Sequence, residues 1–465
     1  MTSLEENQQA NFHTALIGLS LDRQAGGLAA QLGAALKEMV HRGVAPAGAR
    51  LPATRRLAGE LGVSRATVLA AFDQLLSEGY LEGRPGAGTF VAANLPDLLP
   101  DAAPDVDVKP EPIEKTDEIL PLSPGLPDMA LFPHRDWARH LQRAWQRPGA
   151  DLLGTPPRFG YGPLRREIAR HLQVWRGIRC APGQVVITSG GAEAFRLLAR
   201  LLPEGAGLGM EEPGYRPLRD SFAAAGHPVT ALPVDEQGFD IEGFSGEAGL
   251  VAVTPSRQYP LGMTMPLARR MRLLEWAEAR DGLILEDDYD SEFRFEGVPI
   301  PALTSLDRAG RCFYAGSFSK TFFSGLRVGY LVVPERFLPA LRRDAPMVQA
   351  SLVPQPALAE FMASGGYARH LRRMRRTYGA RRRAMLTQLR AAGLAPVDQP
   401  SGMHLLLPVA DDARVARRAC AAGLGVRALS SYYAGPPRAS GLILGFSAHD
   451  EAIQSAAVAR LMSLL

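Results

Sequence analysis

The sequence predicts a multidomain protein in which a small, mostly α-helical N-terminal domain with a β hairpin precedes a larger α/β domain. Leucines recur at helical spacing near the start of the chain, and a glycine-rich hairpin pattern follows at residues 79–91. A proline-rich acidic segment then interrupts the pattern at residues 94–120. Beyond it, short apolar runs end in polar residues, as at residues 282–290. Such runs are typical of buried parallel strands whose carboxyl ends open into a site.

The composition provides enough apolar material for two or three domains. The 465 residues are 46% hydrophobic, and the net charge of +4 permits an anionic partner without requiring one. Cys180, Cys312 and Cys420 are widely spaced, which argues against disulfides, and neither they nor the nine histidines show a metal-ligand spacing. No apolar run is long enough to span a membrane, and the N-terminus lacks the apolar core of a signal peptide. We therefore expect a cytoplasmic protein without a metal site.

The N-terminal domain, expected at residues 18–93, shows the pattern of two short helices joined by a tight turn. The first helix is predicted to begin near Pro52 and to end at Gly62, and Ser64 then stands where an N-cap residue opens the second helix. This arrangement is typical of a helix-turn-helix, whose second helix enters the major groove of DNA by its N-terminal residues. The hairpin at residues 79–91 would form a wing. A small helical bundle with one hairpin need not bind DNA, so the order of the motifs decides.

That order closely resembles the winged helix-turn-helix of GntR-type transcription regulators. It runs Leu-Pro-x-x-Arg-x-Leu-Ala, then Val-Ser-Arg-x-Thr-Val, then Glu-Gly-Tyr-Leu and Gly-x-Gly-Thr-Phe-Val. Ala66 departs from the polar residue usual before the threonine, so one contact is expected to be missing. The resemblance implies that double-stranded DNA is bound by six residues, the last of them on the wing: Arg55, Arg56, Ser64, Arg65, Thr67 and Arg84.

Residues 94–120 are predicted to be a linker. They are rich in proline and acidic residues and lack helical or strand periodicity. Segments of that composition stay extended and semi-rigid, so the linker would let the N-terminal domain sit far from the rest of the chain. The remaining domain is expected at residues 121–465, with a large subdomain at about 150–350 and a small subdomain mainly at about 380–465.

The strongest indication of chemistry is a lysine in a serine- and glycine-rich turn. Lys320 follows a strand-like run that ends near Ala315, and Arg327 comes seven residues later. A lysine amine forms a Schiff base with an aldehyde, and small hydroxyl residues with an arginine suit a phosphate. Pyridoxal 5'-phosphate (PLP) carries both groups. The alternative is a surface lysine in a polar loop, so the neighbouring motifs decide.

Carboxylates close an apolar run upstream of this lysine. Asp287 and Tyr289 alternate with Asp288 along the predicted strand, so the first two point to one face and Asp288 to the other. A carboxylate that faces a PLP ring keeps the pyridine nitrogen protonated, and a tyrosine hydroxyl can bond the phenolic oxygen of the ring. The alternative is that these acids only cap the strand end. The 33 residues between Asp287 and Lys320 favour the first interpretation, because they leave room for a helix or loop and the next strand.

Three further segments offer contacts to such a cofactor. A β-branched run at residues 185–188 leads through Gly191 and Ala192 into a helix-forming stretch, and a helix N-terminus binds anions well. Tyr215 is placed to stack on a ring, and Gln258 lies in a turn that could present it to the ring oxygen. Each of these segments alone is more typical of ordinary structure than of a site.

Taken in order, residues 121–465 resemble the large domain of fold type I PLP enzymes, the aspartate aminotransferase class. The resemblance includes the Ser-Pro-Gly-Leu-Pro-Asp segment at residues 123–128. It implies that Lys320 is the Schiff-base lysine and that Asp287 binds the pyridine nitrogen. It further implies that Tyr289 contacts the phenolic oxygen, that Tyr215 stacks on the ring, and that the phosphate is bound by Ser317, Arg327, Gly191 and Ala192.

A GntR-type head joined to an aminotransferase-like body is the layout of the MocR-type regulators, and the resemblance covers nearly the whole chain. It implies a transcription regulator that binds operator DNA and in which an aldimine at Lys320 senses PLP itself or a small amine or amino-acid effector. It also implies a head-to-tail homodimer. The other interpretation is an active PLP-dependent aminotransferase that carries a DNA-binding head.

Two departures from the related families put the usual carboxylate contact of an aminotransferase in doubt and so favour the regulator. Amino-acid aminotransferases hold the substrate carboxylate with an arginine, because its bidentate fork matches that group, and Ile443 stands where this arginine is often found. Arg257 replaces a histidine that is common in MocR-type chains. Three explanations for the missing arginine stay open. Arg257 binds the effector carboxylate in its place, the effector lacks a carboxylate, or PLP itself is the signal.

Eight arginines crowd a helical stretch at residues 369–383. One interpretation is a solvated helix that joins the large and small subdomains. The other is a helix face that contacts DNA bound against the body of the protein.

Overall fold

The computed structural model describes residues 12–93, 95, 119–244, 248–297, 300–344 and 350–465. The chain divides into two units, Met1–Lys115 and Thr116–Leu465. The predicted linker at residues 94–120 lies almost wholly outside the described residues, so its extended character stays a prediction. Within the described part of the chain, no helix combines the length and apolar character that crossing a bilayer requires, and no His, Cys, Asp and Glu side chains cluster as metal ligands.

The N-terminal unit is a small helical bundle closed by a β hairpin. Residues 12–17 are helical, and they are followed by α1 (Leu28–His41), α2 (Thr54–Leu61) and α3 (Arg65–Ser77). The hairpin pairs β1 (Leu81–Arg84) with β2 (Gly88–Val91) antiparallel. Leu32, Leu36, Val68 and Phe72 pack in its core. Gly62 adopts φ 63°, the left-handed conformation that lets α2 end and the chain turn into α3. The predicted helix-turn-helix and wing are confirmed.

The larger unit is built on an eight-stranded sheet. Its strands are β3 (Val185–Thr188), β4 (Leu208–Glu212), β5 (Val229–Asp235), β6 (Gly238–Phe239), β7 (Leu250–Val253), β8 (Leu283–Asp288), β9 (Cys312–Ser317) and β10 (Gly329–Val332). The order across the sheet is β3-β10-β9-β8-β7-β4-β5-β6. Neighbours from β9 to β5 are parallel, whereas β10 is antiparallel to both β9 and β3. The carboxyl ends of β3, β9, β8, β7 and β4 therefore share one edge.

Helices cover both faces of this sheet. They are α4 (His134–Gln146), α5 (Ala150–Leu153), α6 (Gly162–Arg176), α7 (Gly191–Leu201), α8 (Arg216–Ala224), α9 (Leu267–Ala279), α10 (Leu338–Asp344) and α11 (Gln355–Ala363). Residues of α6 and α11 share a core with Ile187 and Tyr330, whereas residues of α7 and α8 share another with Val186 and Leu331. Successive strand residues point to opposite faces, so these cores lie on opposite sides of the sheet. Burial on both sides explains the continuous apolar runs in the sequence.

The C-terminal part forms a second, three-stranded sheet. Its strands are β11 (His404–Pro408), β12 (Arg427–Ala428) and β13 (Gly441–Gly445), with β13 in the centre and antiparallel to both neighbours. Helices α12 (Gly366–Ala391), α13 (Asp412–Ala421) and α14 (Glu451–Met462) accompany it. Leu405, Leu442 and Leu444 pack with Met385 and Val458 to form its core.

The segment at residues 121–125 contacts this smaller sheet and its core, although it lies far away in sequence. Leu122 is buried within it. The backbone amides of Gly425 and Gly445 donate to the carbonyls of Pro121 and Leu122 at 2.7 and 2.8 Å. The segment therefore lies against the small sheet just before the chain reaches the large one.

The arginine-rich stretch lies on α12, and the structure divides it into buried and exposed members. Arg381 is buried and donates to the Asp128 carboxylate at 2.7 Å, and Arg382 is buried and pairs with Glu296 at 2.8 Å. These two arginines join parts of the body to one another. The exposed members are Arg369, Arg372, Arg373, Arg376 and Arg383.

Candidate functional site

Lys320 lies in the turn after β9, at the carboxyl edge of the large sheet. Its Nζ donates a hydrogen bond of 2.8 Å to the backbone carbonyl of Gly125, in the segment held against the small sheet. Burial lowers the pKa of the Lys320 amine, and the positive charge of Arg427 lowers it further, whereas Asp290 and Asp287 act in the opposite direction. A lower pKa leaves more of the amine uncharged, which is the form that attacks an aldehyde.

Asp287 lies on the neighbouring strand, close to Lys320. It is the penultimate residue of β8, paired in register with Ala315 of β9. Burial raises the pKa of Asp287 to about 7, the negative charges of Asp288 and Glu211 add to this, and Lys320 opposes it. Its carboxylate has no hydrogen-bond partner among the residues that the structure describes. A protonated pyridine nitrogen would complete this arrangement, because it offers both a donor and a positive charge.

Asp288 points to the other face of the sheet, as the alternation along the strand predicts. It accepts a hydrogen bond of 2.6 Å from the Tyr314 hydroxyl and pairs with the Arg176 guanidinium at 2.8 Å. These contacts give Asp288 a role in packing α6 against the sheet, and leave Asp287 as the member of the pair that faces Lys320.

Arg257 holds Tyr289 in place. The Arg257 guanidinium is 3% exposed and donates to the Tyr289 hydroxyl at 2.9 Å and to the carbonyls of Ser401 and His404 at 3.1 and 3.0 Å. It also pairs with Asp290 at 3.4 Å. Since these protein groups occupy its donors, the geometry argues against the explanation that Arg257 receives an effector carboxylate. The Tyr289 hydroxyl keeps a hydrogen of its own to donate, and its contact with a ring oxygen stays a prediction.

An anion cradle lies where β3 turns into α7. Gly190 has φ 123°, and a Cβ at this position would lie 3.6 Å from Nη2 of Arg327, so the guanidinium stands over the turn. The amides of Gly191 and Ala192 begin α7, where helical N–H groups have no acceptor within the helix. Ser317 ends β9 at the same edge. A guanidinium above a helix N-terminus fits a phosphate, so these residues suit the group that the sequence implied.

Tyr215 follows β4 at the same edge of the sheet. Its ring is 39% exposed and meets Tyr259 edge-on at 5.8 Å between centroids. Burial raises the pKa of Tyr215, and the negative charge of Asp287 adds to this, which places the two side chains in one site. Stacking of Tyr215 on a cofactor ring stays a prediction that this position allows.

Gln258 is occupied by backbone groups. Its Nε2 donates to the carbonyls of Pro213 and Tyr259, each at 2.8 Å, and its Oε1 accepts from the amide of Leu261 at 3.0 Å. It is 1% exposed. These bonds hold the turn that carries Arg257, and a contact between Gln258 and the ring stays a prediction to which this geometry adds no support.

Three groups at the site were missed by sequence reasoning. The Gly125 carbonyl lies in a segment that carried the resemblance but was assigned no role. Asp290 belongs to the same acidic run as Asp287. The sequence shows this carboxylate but does not indicate that it pairs with Arg257. Arg427 lies in a strand of two residues without any motif, so no pattern in the sequence could indicate it.

Ile443 lies in an apolar cluster. It is fully buried and packs with Leu429 and Tyr432. The position where related enzymes often carry an arginine therefore offers no donor to a carboxylate.

In the N-terminal unit, Ser64 and Thr67 fix the start of the second helix of the helix-turn-helix. The Thr67 amide donates to Ser64 Oγ at 3.0 Å, and the two hydroxyl oxygens are 2.8 Å apart. Arg65, the first residue of α3, is exposed. This confirms the predicted N-cap and presents Arg65 to solvent at the helix end that enters the groove in proteins of this kind.

The other predicted DNA contacts are also exposed. Arg55 and Arg56 lie on α2, where Arg56 pairs with Glu60 at 2.8 Å. Arg84 ends the first strand of the wing, where it pairs with Glu82 and lies 4.5 Å from the centre of the Phe90 ring. The structure thus brings basic side chains to the surface on three neighbouring elements, and their contacts with DNA stay predictions.

Comparison with known proteins decides the family. Residues 118–439 match the family Aminotransferase class I and II, and residues 28–91 match the bacterial regulatory proteins of the gntR family. The probable rhizopine catabolism regulatory protein MocR of Rhizobium meliloti is 38% identical over 93% of this chain and 92% of its own length. The chain belongs to the MocR-type family of regulators.

Further relatives support both halves of this MocR-type layout. The HTH-type pyridoxine biosynthesis transcriptional regulator PdxR of Corynebacterium glutamicum is 36% identical over 90% of this chain and 92% of that protein. Among solved structures, the kynurenine aminotransferase of Pyrococcus horikoshii has a TM-score of 0.67 at 26% identity, covering 75% of this chain and 91% of that one. The α-aminoadipate aminotransferase LysN of Thermus thermophilus has a TM-score of 0.66 at 28% identity, covering 74% and 92%. The predicted GntR-type head and aminotransferase-like body are confirmed.

Proposed function

We propose that this MocR-type chain is a transcription regulator that holds PLP at Lys320, and that occupancy of this site by PLP or by a small amine or amino acid changes its affinity for operator DNA. One observation carries the proposal. Lys320, the unpartnered carboxylate of Asp287 and the Arg327 guanidinium meet at one sheet edge, in a chain whose first unit is a helix-turn-helix with exposed arginines.

The site residues divide the tasks of holding such a cofactor. PLP supplies an aldehyde that reacts with an amine and a ring that withdraws electrons. The lowered pKa of Lys320 keeps its Nζ reactive, and Asp287 would hold a protonated ring nitrogen. Arg327 and the first amides of α7 would bind the phosphate. We assign the remaining contacts as the sequence resemblance implies: Tyr289 to the phenolic oxygen, Tyr215 to the ring face, and Ser317, Gly191 and Ala192 to the phosphate.

The N-terminal unit would bind the operator. Exposed arginines at the start of α3, on α2 and on the wing supply both groove and phosphate contacts. We propose a head-to-tail homodimer, which would place two such units on one operator, and a cytoplasmic location, where that DNA lies. The names of the relatives support two kinds of signal. PdxR is named for pyridoxine biosynthesis, which supports PLP itself, and MocR is named for a catabolic pathway, which supports a small organic effector.

The test is binding to the DNA upstream of the chain's own gene. Affinity and footprint are compared for PLP-free protein, PLP-loaded protein, and PLP-loaded protein with a panel of amines. A change on adding PLP alone identifies cofactor supply as the signal, whereas a change that requires one amine identifies the effector. Unchanged affinity and footprint in every case would contradict the proposal.

A second candidate function is that of an active aminotransferase. The lysine, the aspartate and the anion cradle are arranged as an enzyme of that fold would need them, and the similar solved structures are aminotransferases. Ile443 opposes it, because the apolar cluster there cannot hold a substrate carboxylate. Steady turnover of an amino acid and a keto acid at about 1 per second or faster would favour the enzyme.

A further inference from the structure

We infer that Arg427 is the residue of this site that recognises the effector, and that it does so by binding a carboxylate carried by a small amine. The inference rests on the proposed function, because it assigns a ligand group to the same site. It concerns a specificity-determining residue, which acts by binding the ligand at a distance from the reacting carbon.

The register of the small sheet places Arg427 beside the apolar cluster of Ile443. Arg427 of β12 is directly paired with Ile443 of β13. Directly opposed residues of antiparallel strands project their side chains to the same face, with Cβ atoms about 5 Å apart. Ile443 is fully buried and Arg427 is exposed, so the guanidinium lies at the rim of the apolar cluster.

The charge of Arg427 is felt by side chains on three separate elements of the site. It lowers the pKa of Lys320 after β9, of Tyr215 after β4 and of Tyr259 before α9. Burial has the larger effect on each group: it lowers the pKa of Lys320 and raises the pKa of both tyrosines. Since all three residues border the site and Arg427 is exposed, the guanidinium lies on the solvent side of them, at the mouth of the Lys320 site.

The other arginines near the site are occupied or act elsewhere. Arg257 is buried among protein acceptors, and Arg327 stands over the turn at Gly190. Arg438 is exposed nearby, but its charge acts on Tyr433. Among the residues that the structure describes, none forms a hydrogen bond or ion pair with the Arg427 guanidinium. A free guanidinium at the mouth of a site is available to a ligand.

The surroundings define what kind of ligand fits. A guanidinium is a planar fork of donors that matches the two oxygens of a carboxylate. The cluster beside Arg427 is aromatic and apolar, with Ile443, Tyr432 and Tyr259, whose hydroxyl lies 3.3 Å from that of Tyr432. An effector with an amine at one end, a short carbon chain and a carboxylate at the other satisfies all three features. A ligand with a second positive charge would be repelled.

The test uses stable conjugates in which the amine nitrogen is joined to the cofactor carbon by a reduced bond. The N-(5'-phosphopyridoxyl) derivatives of glycine, β-alanine and 4-aminobutanoate are compared with those of the corresponding carboxamides, which have the same shape without the charge. Binding to the PLP-free full chain is measured by calorimetry. We expect at least one acid to bind about 10- to 100-fold tighter than its amide, the range of a charge-assisted bidentate contact.

Two variants assign that preference to one residue. In Arg427→Gln the acid should lose its advantage, and the affinity of the amide should stay within about twofold of the wild type. Arg438→Gln, which removes an exposed charge from the same region, should keep the advantage. A preference that survives in Arg427→Gln, or equal affinities of acid and amide in the wild-type chain, would overturn the assignment and leave the PLP site standing. Failure of every conjugate to bind would overturn the proposed function itself.

Discussion

At the scale of single residues, binding of PLP depends first on the amine of Lys320. Lys320→Ala removes the nucleophile and leaves the buried strand before it untouched, so PLP should no longer produce the visible absorbance of a lysine-linked cofactor. The variant should unfold within a few degrees of the wild type, because Lys320 makes one hydrogen bond, to the Gly125 carbonyl. The measurement is the absorbance spectrum after addition of PLP and removal of the excess. A retained absorbance would show that another lysine holds the cofactor.

Asp287 gives the PLP-free protein a characteristic pH dependence of stability. Its pKa is raised by burial to about 7 from 3.8, so the folded state holds this proton more tightly than the unfolded state does. Below about pH 4 the carboxyl group is protonated in both states and does not reduce the free energy of unfolding. As the pH rises from about 4 to about 7, the unfolded state ionises while the folded state keeps its proton, and stability is lost, up to about 4 kcal/mol at about 1.4 kcal/mol per pKa unit.

Asp287→Asn removes this titration and provides the comparison. The difference in free energy of unfolding between variant and wild type, measured with urea on PLP-free protein, should grow in favour of the variant between about pH 4 and pH 7 and then level off. The same variant should retain PLP less well, since a neutral amide cannot form an ion pair with a protonated ring nitrogen. A difference that does not vary with pH would show that the pKa of Asp287 is not raised in the folded state.

The features of the site that the sequence predicts best are those that follow from strand alternation and connection. The spacing from Asp287 to Lys320 left room for a connection and the next strand, and β8 and β9 are successive strands that also pair in the sheet. Side-chain partners are a different matter, because they depend on segments that meet only after folding. Arg257 was visible as a departure from the family, yet its contacts with Tyr289, Ser401 and His404 could not be read from the sequence.

At the scale of elements, α3 is the part of the N-terminal unit on which sequence recognition rests. Arg65→Ala removes the exposed guanidinium at the first residue of α3 and should weaken operator binding by about 1–3 kcal/mol, or roughly 5- to 150-fold, without changing PLP content. Arg200→Ala, an equal loss of charge at an exposed position of the large unit, should leave the affinity nearly unchanged. The measurement is a DNA titration at fixed salt. An unchanged affinity of the Arg65 variant would mean that a different element reads the operator.

The long helix α12 combines a structural and a solvated set of arginines. Arg381→Ala would leave the Asp128 carboxylate, 6% exposed, without its ion pair, and should destabilise the larger unit by about 3–5 kcal/mol. Thermal unfolding followed by circular dichroism measures this loss. A midpoint equal to that of the wild type would show that Asp128 finds water or another partner.

The exposed arginines of α12 provide the matched comparison. Replacing Arg372, Arg373 and Arg376 with Gln should change stability little, because exposed positions without ion pairs contribute little. We expect the salt dependence of operator affinity to stay the same as well, in agreement with a solvated helix. A flatter dependence would favour the alternative that this face contacts DNA, because each lost phosphate contact reduces the slope.

The elements differ in how far the sequence predicted them. The helix-turn-helix and wing have caps, turns and glycines that mark their ends, and α2, α3, β1 and β2 lie where those residues place them. The small sheet has no such marks. Its strand β12 is two residues long and is defined by pairing with β13, so its place in the site depends on tertiary contacts alone.

At the scale of the whole molecule, the proposed function requires that ligand binding in one unit and DNA binding in the other depend on the same conformational equilibrium. The unit Met1–Lys115 carries the helix-turn-helix, and the unit Thr116–Leu465 carries the Lys320 site. The composition and the family resemblance predicted both units, whereas the coupling between them is a property of populations that no sequence pattern records. A ligand shifts such an equilibrium only by as much as it binds one state better than the other.

Coupling of this kind is reciprocal, so the effect of operator DNA on the Lys320 site tests most directly whether that site controls DNA binding. The measurement is the affinity of the full chain for PLP in the absence and presence of saturating operator DNA, with an unrelated duplex of equal length as control. We expect the operator to change the affinity for PLP by the same factor by which PLP changes the affinity for the operator, typically about 5- to 150-fold. Equal affinities with and without the operator, both for PLP and for each amine of the panel on the PLP-loaded chain, would contradict the claim that occupancy of the Lys320 site controls DNA binding.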